Sequence, residues 1–225
     1  MSVSIRRWRG WALILAACAG LAGAQEVIEL DALKARADAG DRKAGRLLGE
    51  MYYVGRGGAE QNFAEAGRWY ERLAKGGDAR AQTSLGLMYA RGYGVAKNMQ
   101  IARRWWSFAA SQNDPGAQYN LGVIYAEGDG VAQDYPQAAT WLDRAAQRGH
   151  VQAQHNLSLL YHEGKGVAPD PVKAYFWMKL AALQGDDGSE QALKVVGKGL
   201  SDGQVRQAET EAAEWMKRYR KVVGQ

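Results

Sequence analysis

The stretch AQYNLGVIYAEGDGVAQDYPQAATWLDRAAQRG, residues 117–149, decides the fold of this 225-residue chain. It recurs three more times in altered form. Successive copies keep a tryptophan at a constant step of 36 residues: Trp69, Trp105, Trp141 and Trp177. A period of this length is typical of solenoids, in which small helical or mixed units stack on one another. The sequence therefore predicts stacked repeats in place of a single globular core.

Each repeat is predicted to form a pair of helices. One face of the first helix is formed by Ala117, Leu121, Ile124 and Tyr125, at i, i+4, i+7 and i+8. Gly128 suits the left-handed conformation that closes a helix. Gly122 lies inside this helix, where glycine costs about 1 kcal/mol relative to alanine, and its presence predicts a close approach of the second helix. That second helix is predicted to begin at Asp134, whose side chain can cap free N–H groups. The equivalent caps are Asn62, Asn98 and Asp170.

The second helix is predicted to bury a stripe of small residues around one large one. In the quoted repeat the stripe consists of Ala138, Trp141, Ala145 and Ala146. Capping boxes, which pair a cap with a Glu or Gln three residues later, are predicted at Glu65, Gln137 and Gln204. One such hairpin cannot bury both of its faces, so neighbours must stack.

The fold predicted from these elements is all-α: a right-handed α-solenoid of stacked αα-hairpins, with four repeats and capping helices. The expected organisation is a signal peptide at 1–24, an N-terminal capping helix at 26–43, repeats at 44–80, 81–116, 117–152 and 153–188, and C-terminal capping helices at 189–225.

Three segments carry a family resemblance. AQTSLGLMYARGYGV (81–95), AQYNLGVIYAEGDGV (117–131) and AQHNLSLLYHEGKGV (153–167) are each followed by A-x-x-W and a double alanine. They resemble Sel-one-like repeats, the tetratricopeptide-related units of about 36 residues. The resemblance implies a scaffold or adaptor that binds a protein or peptide and has no general catalytic activity.

The first 24 residues have the pattern of an export signal. Three arginines between residues 6 and 9 precede an apolar run at 11–21, and Ala22-Gly23-Ala24 offers a cleavage site before Gln25. This pattern predicts secretion across the inner membrane of a bacterium into the periplasm. In an alternative interpretation, Leu15-Ala16-Ala17-Cys18 is a lipobox, and Cys18 carries a lipid anchor in the envelope.

Composition and motifs point away from several classes of function. Loss of the three signal arginines lowers the formal charge from +5 to +2, which does not favour nucleic-acid binding. No serine-hydrolase elbow, zinc-protease motif or phosphate loop is found, and the sequence predicts no catalytic residue, metal site or cofactor. His162-Glu163 begins like a zinc-protease motif, but Gly166 stands in place of the second histidine.

Candidate partner contacts come from the positions of the first helix that lie opposite its buried stripe. We expect these positions to line a concave groove. The best candidates are the aromatic and amide side chains Tyr53, Tyr119, Asn120, His155, Asn156 and His162.

The predicted function is a non-catalytic protein–protein interaction scaffold in the bacterial envelope, with a partner protein or peptide in the groove. The sequence leaves two alternatives open. One is a β-lactam-binding or hydrolysing enzyme of the cysteine-rich repeat type, which the absence of repeat cysteines disfavours. The other is a lipid-anchored accessory factor held through Cys18.

Overall fold

The computed structural model describes residues 30–224, and this part of the chain forms eleven α-helices and no β-strand. The all-α repeat fold is therefore confirmed. The helices are α1 (Leu30–Asp38), α2 (Arg42–Val54), α3 (Phe63–Lys75), α4 (Ala79–Arg91), α5 (Met99–Ser111), α6 (Pro115–Glu127), α7 (Tyr135–Gln147), α8 (Val151–Glu163), α9 (Pro171–Leu183), α10 (Ser189–Val196) and α11 (Asp202–Val223).

The helices belong to two compact units, which divide between Gln112 and Asn113. In the first unit α2 packs against α3, α3 against α4 and α4 against α5, while α1 covers α2. In the second unit α6, α7, α8 and α9 pack in the same sequential manner, and both α10 and α11 pack against α9. Within each unit the helices of the repeats thus pack against their neighbours in sequence, as expected when every repeat supplies one hairpin.

The caps of the second helices are those predicted from the sequence. Each cap residue has an extended backbone, and its side chain accepts a hydrogen bond from the N–H group three residues later. The backbone N–H of each cap donates to a tyrosine carbonyl in the first helix of the same hairpin; for Asn62 the acceptor is Tyr52 O, at 2.7 Å, and for Asp134 it is Tyr125 O, at 2.8 Å. One residue therefore starts the second helix and ties it to the first.

That bond explains why two predicted capping boxes are wrong. A box needs the free N–H of the cap, which the tyrosine carbonyl already takes. Glu65 pairs instead with Arg68, at 2.8 Å, and Gln137 donates to the carboxylate of Asp134, at 2.7 Å. The third predicted box is present: Ser201 and Gln204 bond reciprocally at the start of α11.

The small residue inside each first helix marks its closest approach to the second, as predicted. A Cβ atom at Gly86 would lie 2.5 Å from Nε1 of Trp106, and one at Gly122 would lie 2.6 Å from Cγ of Leu142. Gly49 faces Tyr70 in the same way. In the last repeat, Ser158 uses its hydroxyl to donate to Ala174 O at 2.5 Å.

The large buried residue of the second helix is one position later than predicted. The side chains that face the small residues are Tyr70, Trp106 and Leu142, which are 4% exposed or less. Of the periodic tryptophans only Trp177 is buried; Trp69, Trp105 and Trp141 are partly exposed. The residue three positions later covers each of these rings: Arg72 over Trp69, Phe108 against Trp105 and Arg144 over Trp141.

We expect Gly86→Ala to destabilise the protein, although alanine is the better helix former. The added methyl group overlaps the Trp106 indole and displaces its Nε1 from Thr83 O, to which it donates at 3.1 Å. Overpacking of this kind costs about 1–3 kcal/mol. Gly45→Ala is the matched control, because a Cβ atom there lies 3.4 Å from Leu73; it should stabilise by about 0.5–1 kcal/mol. Urea unfolding measures both, and equal effects would contradict the close contact.

Candidate functional site

The six predicted partner contacts all lie on first helices: Tyr53 on α2, Tyr119 and Asn120 on α6, and His155, Asn156 and His162 on α8. The spacing predicted an open face for them. The structure corrects this expectation for four of the six: Tyr119, Asn120, His155 and Asn156 are buried, and Tyr53 and His162 are partly buried.

Tyr119 is buried because it packs against the next repeat. Its ring stacks on that of His150, with centroids 4.5 Å apart and an interplanar angle of 16°. His150 is the cap of α8, and its Nδ1 accepts from the N–H of Ala153 at 3.3 Å. Although His150 retains some surface exposure, burial of its imidazole lowers its pKa from 6.5 to about 4. The ring is therefore neutral, as an acceptor at a helix cap must be.

His155 is buried in a cluster of polar side chains. Its Nδ1 lies 2.9 Å from Oδ2 of Asp186 and 3.1 Å from Oγ of Ser189, and Ser189 donates to the same carboxylate oxygen at 2.5 Å. All three residues are at most 7% exposed. The cluster ties α8 to the start of α10.

These contacts follow one rule, in which the residue five positions after a first-helix cap meets the cap position of the next repeat. In the first unit Arg46 forms an ion pair with Asp78, the cap of α4. In the second unit Tyr119 meets His150, and His155 meets Asp186. Positions that vary between repeats thus form joints between neighbouring repeats.

Sequence reasoning missed the first-helix caps, although their spacing reveals them. They are Asp41, Asp78, Asp114 and His150, and Asp186 follows one further step of 36 residues along the chain. The first four of these caps lie three residues before the predicted repeat starts at 44, 81, 117 and 153.

Histidine, aspartate and serine together raise the question of nucleophilic catalysis, and the geometry answers it. In a serine hydrolase the carboxylate and the nucleophile bond to opposite nitrogens of the imidazole. Here Asp186 and Ser189 both lie at Nδ1 of His155. The imidazole is therefore not placed to take a proton from Ser189 at one nitrogen while Asp186 orients it at the other, and the cluster serves as a structural joint.

Asn120 and Asn156 each leave a side-chain donor without a hydrogen-bond partner in the described part of the chain. They occupy the same place in consecutive repeats and are 7% and 1% exposed. Their Nδ2 atoms are buried and have no hydrogen-bond partner within residues 30–224. A buried unpaired donor costs about 1–3 kcal/mol. Such groups in a native protein require an explanation, and a bound partner is one.

Tyr53 belongs to an aromatic cluster in the first unit. Its ring lies 5.3 Å from that of Phe63 and 6.0 Å from that of Tyr93, and burial raises the pKa of its phenol. Phe63 and Tyr93 stack at 4.9 Å. Tyr93 is 38% exposed. The cluster joins two repeats and presents one aromatic edge to solvent.

His162 lies in the last turn of α8, and no second histidine, cysteine or carboxylate group completes a metal site around it. Across residues 30–224 there is no group of three or more such side chains that could hold a metal ion. Over the same residues no helix combines the length and the apolar character needed to cross a bilayer. Cys18 and the predicted signal lie outside the described residues.

Comparison with known families settles the repeat type. Four consecutive segments match the Sel1 repeat, at residues 44–78, 79–114, 115–150 and 151–186. This chain belongs to the Sel1 repeat family. Each matched segment ends close to the first-helix cap of the next repeat, which agrees with the caps in the structure.

Two solved structures resemble this Sel1 repeat protein closely. A protective antigen of uropathogenic Escherichia coli strains with an SLR fold shares 33% identity at a TM-score of 0.79, covering 89% of this chain. A Sel1 repeat protein from Oxalobacter formigenes shares 35% identity at a TM-score of 0.66, covering 74%. The chain spans 43% and 48% of the lengths of these relatives. No curated protein matches it.

Sel1 repeats generally mediate protein–protein interaction, and the family is generally a non-catalytic scaffold. The Sel1 repeat protein described here has the features of that class: sequential helical hairpins, joints between repeats, and side chains whose hydrogen-bonding capacity the described chain leaves unused.

We expect Asp186→Ala to destabilise the protein strongly, because it leaves His155 and Ser189 buried without their shared acceptor. Each buried hydrogen-bonding group that is left without its partner costs about 1–3 kcal/mol. Urea unfolding of Asp186→Ala, His155→Ala and the double variant should give a coupling energy of at least about 1 kcal/mol. Additive effects of the two substitutions would contradict the joint.

The low pKa of His150 predicts a specific pH dependence. Between pH 6.5 and about 4 the unfolded chain binds a proton at this histidine and the native protein does not. Stability should therefore fall by up to about 3 kcal/mol as the pH falls through this window. In His150→Asn, which keeps a capping side chain, this part of the decline should be absent. Parallel stability curves for wild type and variant between pH 7 and 4.5 would contradict it.

Proposed function

We propose that this protein is a non-catalytic interaction scaffold of the bacterial envelope, and that it binds a protein or peptide on the face of α6 and α8 that carries Asn120 and Asn156. The observation that carries the proposal is the pair of amide Nδ2 atoms, at equivalent places in consecutive repeats, that have no partner within residues 30–224. Both amides are buried, so the proposal requires that the side chains around them move aside when the partner binds.

The chemistry suits an extended polypeptide. A primary amide offers two N–H donors and one carbonyl acceptor, so it can bond to backbone C=O and N–H groups of any sequence. Two such amides one repeat apart hold an extended strand at two points. Each hydrogen bond contributes about 0.5–1.5 kcal/mol. Together the two asparagines therefore account for roughly a 5- to 150-fold change in affinity.

The neighbouring residues have a supporting role in this proposal. Tyr119 and His155 form joints to the next repeat, so they hold α6 and α8 in place and are not free to wrap a ligand. Tyr53 and His162 keep partial exposure and remain candidates for direct contact. The proposal thus assigns anchoring of the partner to the asparagines and rigidity to the joints.

The proposed location rests on the export pattern in residues 1–24. We propose that the signal peptide is cleaved after Ala24 and that the protein is released into the periplasm. Anchoring through Cys18 is the competing proposal. The mass of the mature N-terminus distinguishes the two: a chain starting at Gln25 supports release, and a lipid-modified Cys18 supports the anchor.

The binding face is tested with Asn120→Leu/Asn156→Leu. Leucine has a similar shape and needs no hydrogen bond, so the variant should unfold at the same or a higher urea concentration than wild type. Quantitative capture from an envelope extract should nevertheless show at least about a fivefold loss of the proteins retained by wild type. The matched control is Gln100→Leu, which replaces an exposed amide on α5 and should retain them. Equal retention by all three proteins would exclude this face.

A further inference from the structure

A buried glutamine pair recurs in two of the four repeats. In the second repeat, Nε2 of Gln82 donates to Ala74 O at 3.1 Å, and Nε2 of Gln112 donates to Oε1 of Gln82 at 2.8 Å. Gln82 is 5% exposed. The pair connects three parts of the chain: the end of the first repeat at Ala74, helix α4, and the end of helix α5.

The fourth repeat contains the same pair at the same places. Nε2 of Gln154 donates to Ala146 O at 3.1 Å, and Nε2 of Gln184 donates to Oε1 of Gln154 at 2.7 Å. Gln154 is completely buried. In the third repeat Gln118 occupies the same place, whereas Arg148 replaces the second glutamine and the pair is not formed. Three of the four repeats thus place a carboxamide group here.

The first repeat lacks both members of the pair. Gly45 stands where Gln82 and Gln154 stand, and Gly76, which ends α3, stands where Gln112 and Gln184 end α5 and α9. The structure has a cleft of about 190 Å³ there, lined by both glycines and by Ala37, Arg42 and Trp69. One water needs only about 10–15 Å³, so the cleft can admit a side chain.

The hydrogen-bonding groups around the cleft are those of the filled repeats. Ala74 O and Ala146 O each accept two bonds, one from a backbone N–H and one from a glutamine. The equivalent Ala37 O accepts from the N–H of Gly40 at 3.1 Å, and no side chain among residues 30–224 gives it a second bond. One acceptor position is thus open.

A donor lies on the other side of the cleft. Arg42 bonds to Gly76 O through Nη2 at 3.1 Å, and its side chain is 54% exposed. A guanidinium has five N–H donors, so Arg42 can take the role that Gln112 has in the second repeat. A carboxamide, which donates and accepts, satisfies both groups. A carboxylate has no hydrogen to donate to Ala37 O, and an apolar side chain satisfies neither group.

We propose that this cleft is a binding site for a primary carboxamide, presented as a glutamine side chain by a partner polypeptide. The side chain enters beside Trp69, donates to Ala37 O and accepts from Arg42. The partner thus supplies the hydrogen bonds that Gln82 and Gln154 make within the chain. The site lies in the first unit and does not depend on Asn120 or Asn156, so either proposal can fail without the other.

The test follows the Trp69 indole N–H and the Gly40 and Gly45 amides by NMR in the mature protein. N-acetylglutamine methylamide should give a saturable shift with a dissociation constant in the millimolar range, as befits a ligand of this size. The glutamate and methionine analogues should bind at least fivefold more weakly. Free glutamine, with charged termini, should also bind more weakly if the site recognises a side chain within a polypeptide.

Two variants make the test specific. Gly45→Gln/Gly76→Gln restores the missing pair, and Gly76, at φ −78° and ψ 7°, has nearly the same backbone as Gln112 and Gln184. This double variant should unfold at a urea concentration no lower than wild type does, and the glutamine probe should no longer shift its NMR signals. Arg42→Met keeps the aliphatic stem and should weaken binding at least fivefold. Gly203→Gln on α11 is the control and should bind as wild type.

The proposal is overturned by any of three results: no saturable shift with the glutamine probe, an equal shift with the glutamate or methionine probe, or an undiminished shift in the filled variant. If the filled variant does not fold, Arg42→Met decides the matter, since that residue is exposed and its loss leaves the core intact.

Discussion

The fold depends on the distance between the two helices of each repeat. In three repeats a glycine in the first helix lets the second come so close that an added Cβ atom would overlap a side chain, as a Cβ atom at Gly86 would overlap Trp106. In the fourth repeat Ser158 donates a hydrogen bond to the second helix at the same place. This close contact fixes which side chain of the second helix is the core residue. It also brings the cap of that helix within reach of a first-helix carbonyl, as Asn62 and Tyr52 show. Dispersion forces and buried hydrogen bonds then act at the same place.

Stacking of repeats depends on a second, more variable set of contacts. The stability of a repeat protein is approximately a sum of terms for single repeats and for the interfaces between neighbours. In this chain the hairpin contact is similar in every repeat, whereas the joint differs: an ion pair at Arg46, ring stacking at Tyr119 and a hydrogen-bonded cluster at His155. Each joint uses different chemistry to satisfy the same geometry, so its two members must change together.

Much of this fold is predictable from the sequence, because the deciding signals are local. The caps at Asn62 and Asp134 and the helix end at Gly128 depend on residues within one turn. The burial of Tyr119 was not predictable in this way. Helical periodicity gives the direction of a side chain around the helix axis. It does not show that His150, 31 residues later in the chain, packs against Tyr119. The prediction that the periodic tryptophans form the core was wrong for a related reason. The size and recurrence of a side chain do not distinguish a core residue from a partly exposed residue that a neighbouring side chain covers.

Departures from the repeat carry information that the repeat itself does not. Gly45 in isolation is a degenerate position, and only its proximity to Gly76 shows that a whole hydrogen-bonded pair is missing from one repeat. Asn120 and Asn156 are the reverse case, because they add polar groups for which the described chain supplies no partner. A globular domain of this size has little stability to spare for such local losses. In a linear array each loss is confined to one repeat and its neighbours, so individual repeats can diverge towards binding while the hairpin contact keeps the array folded.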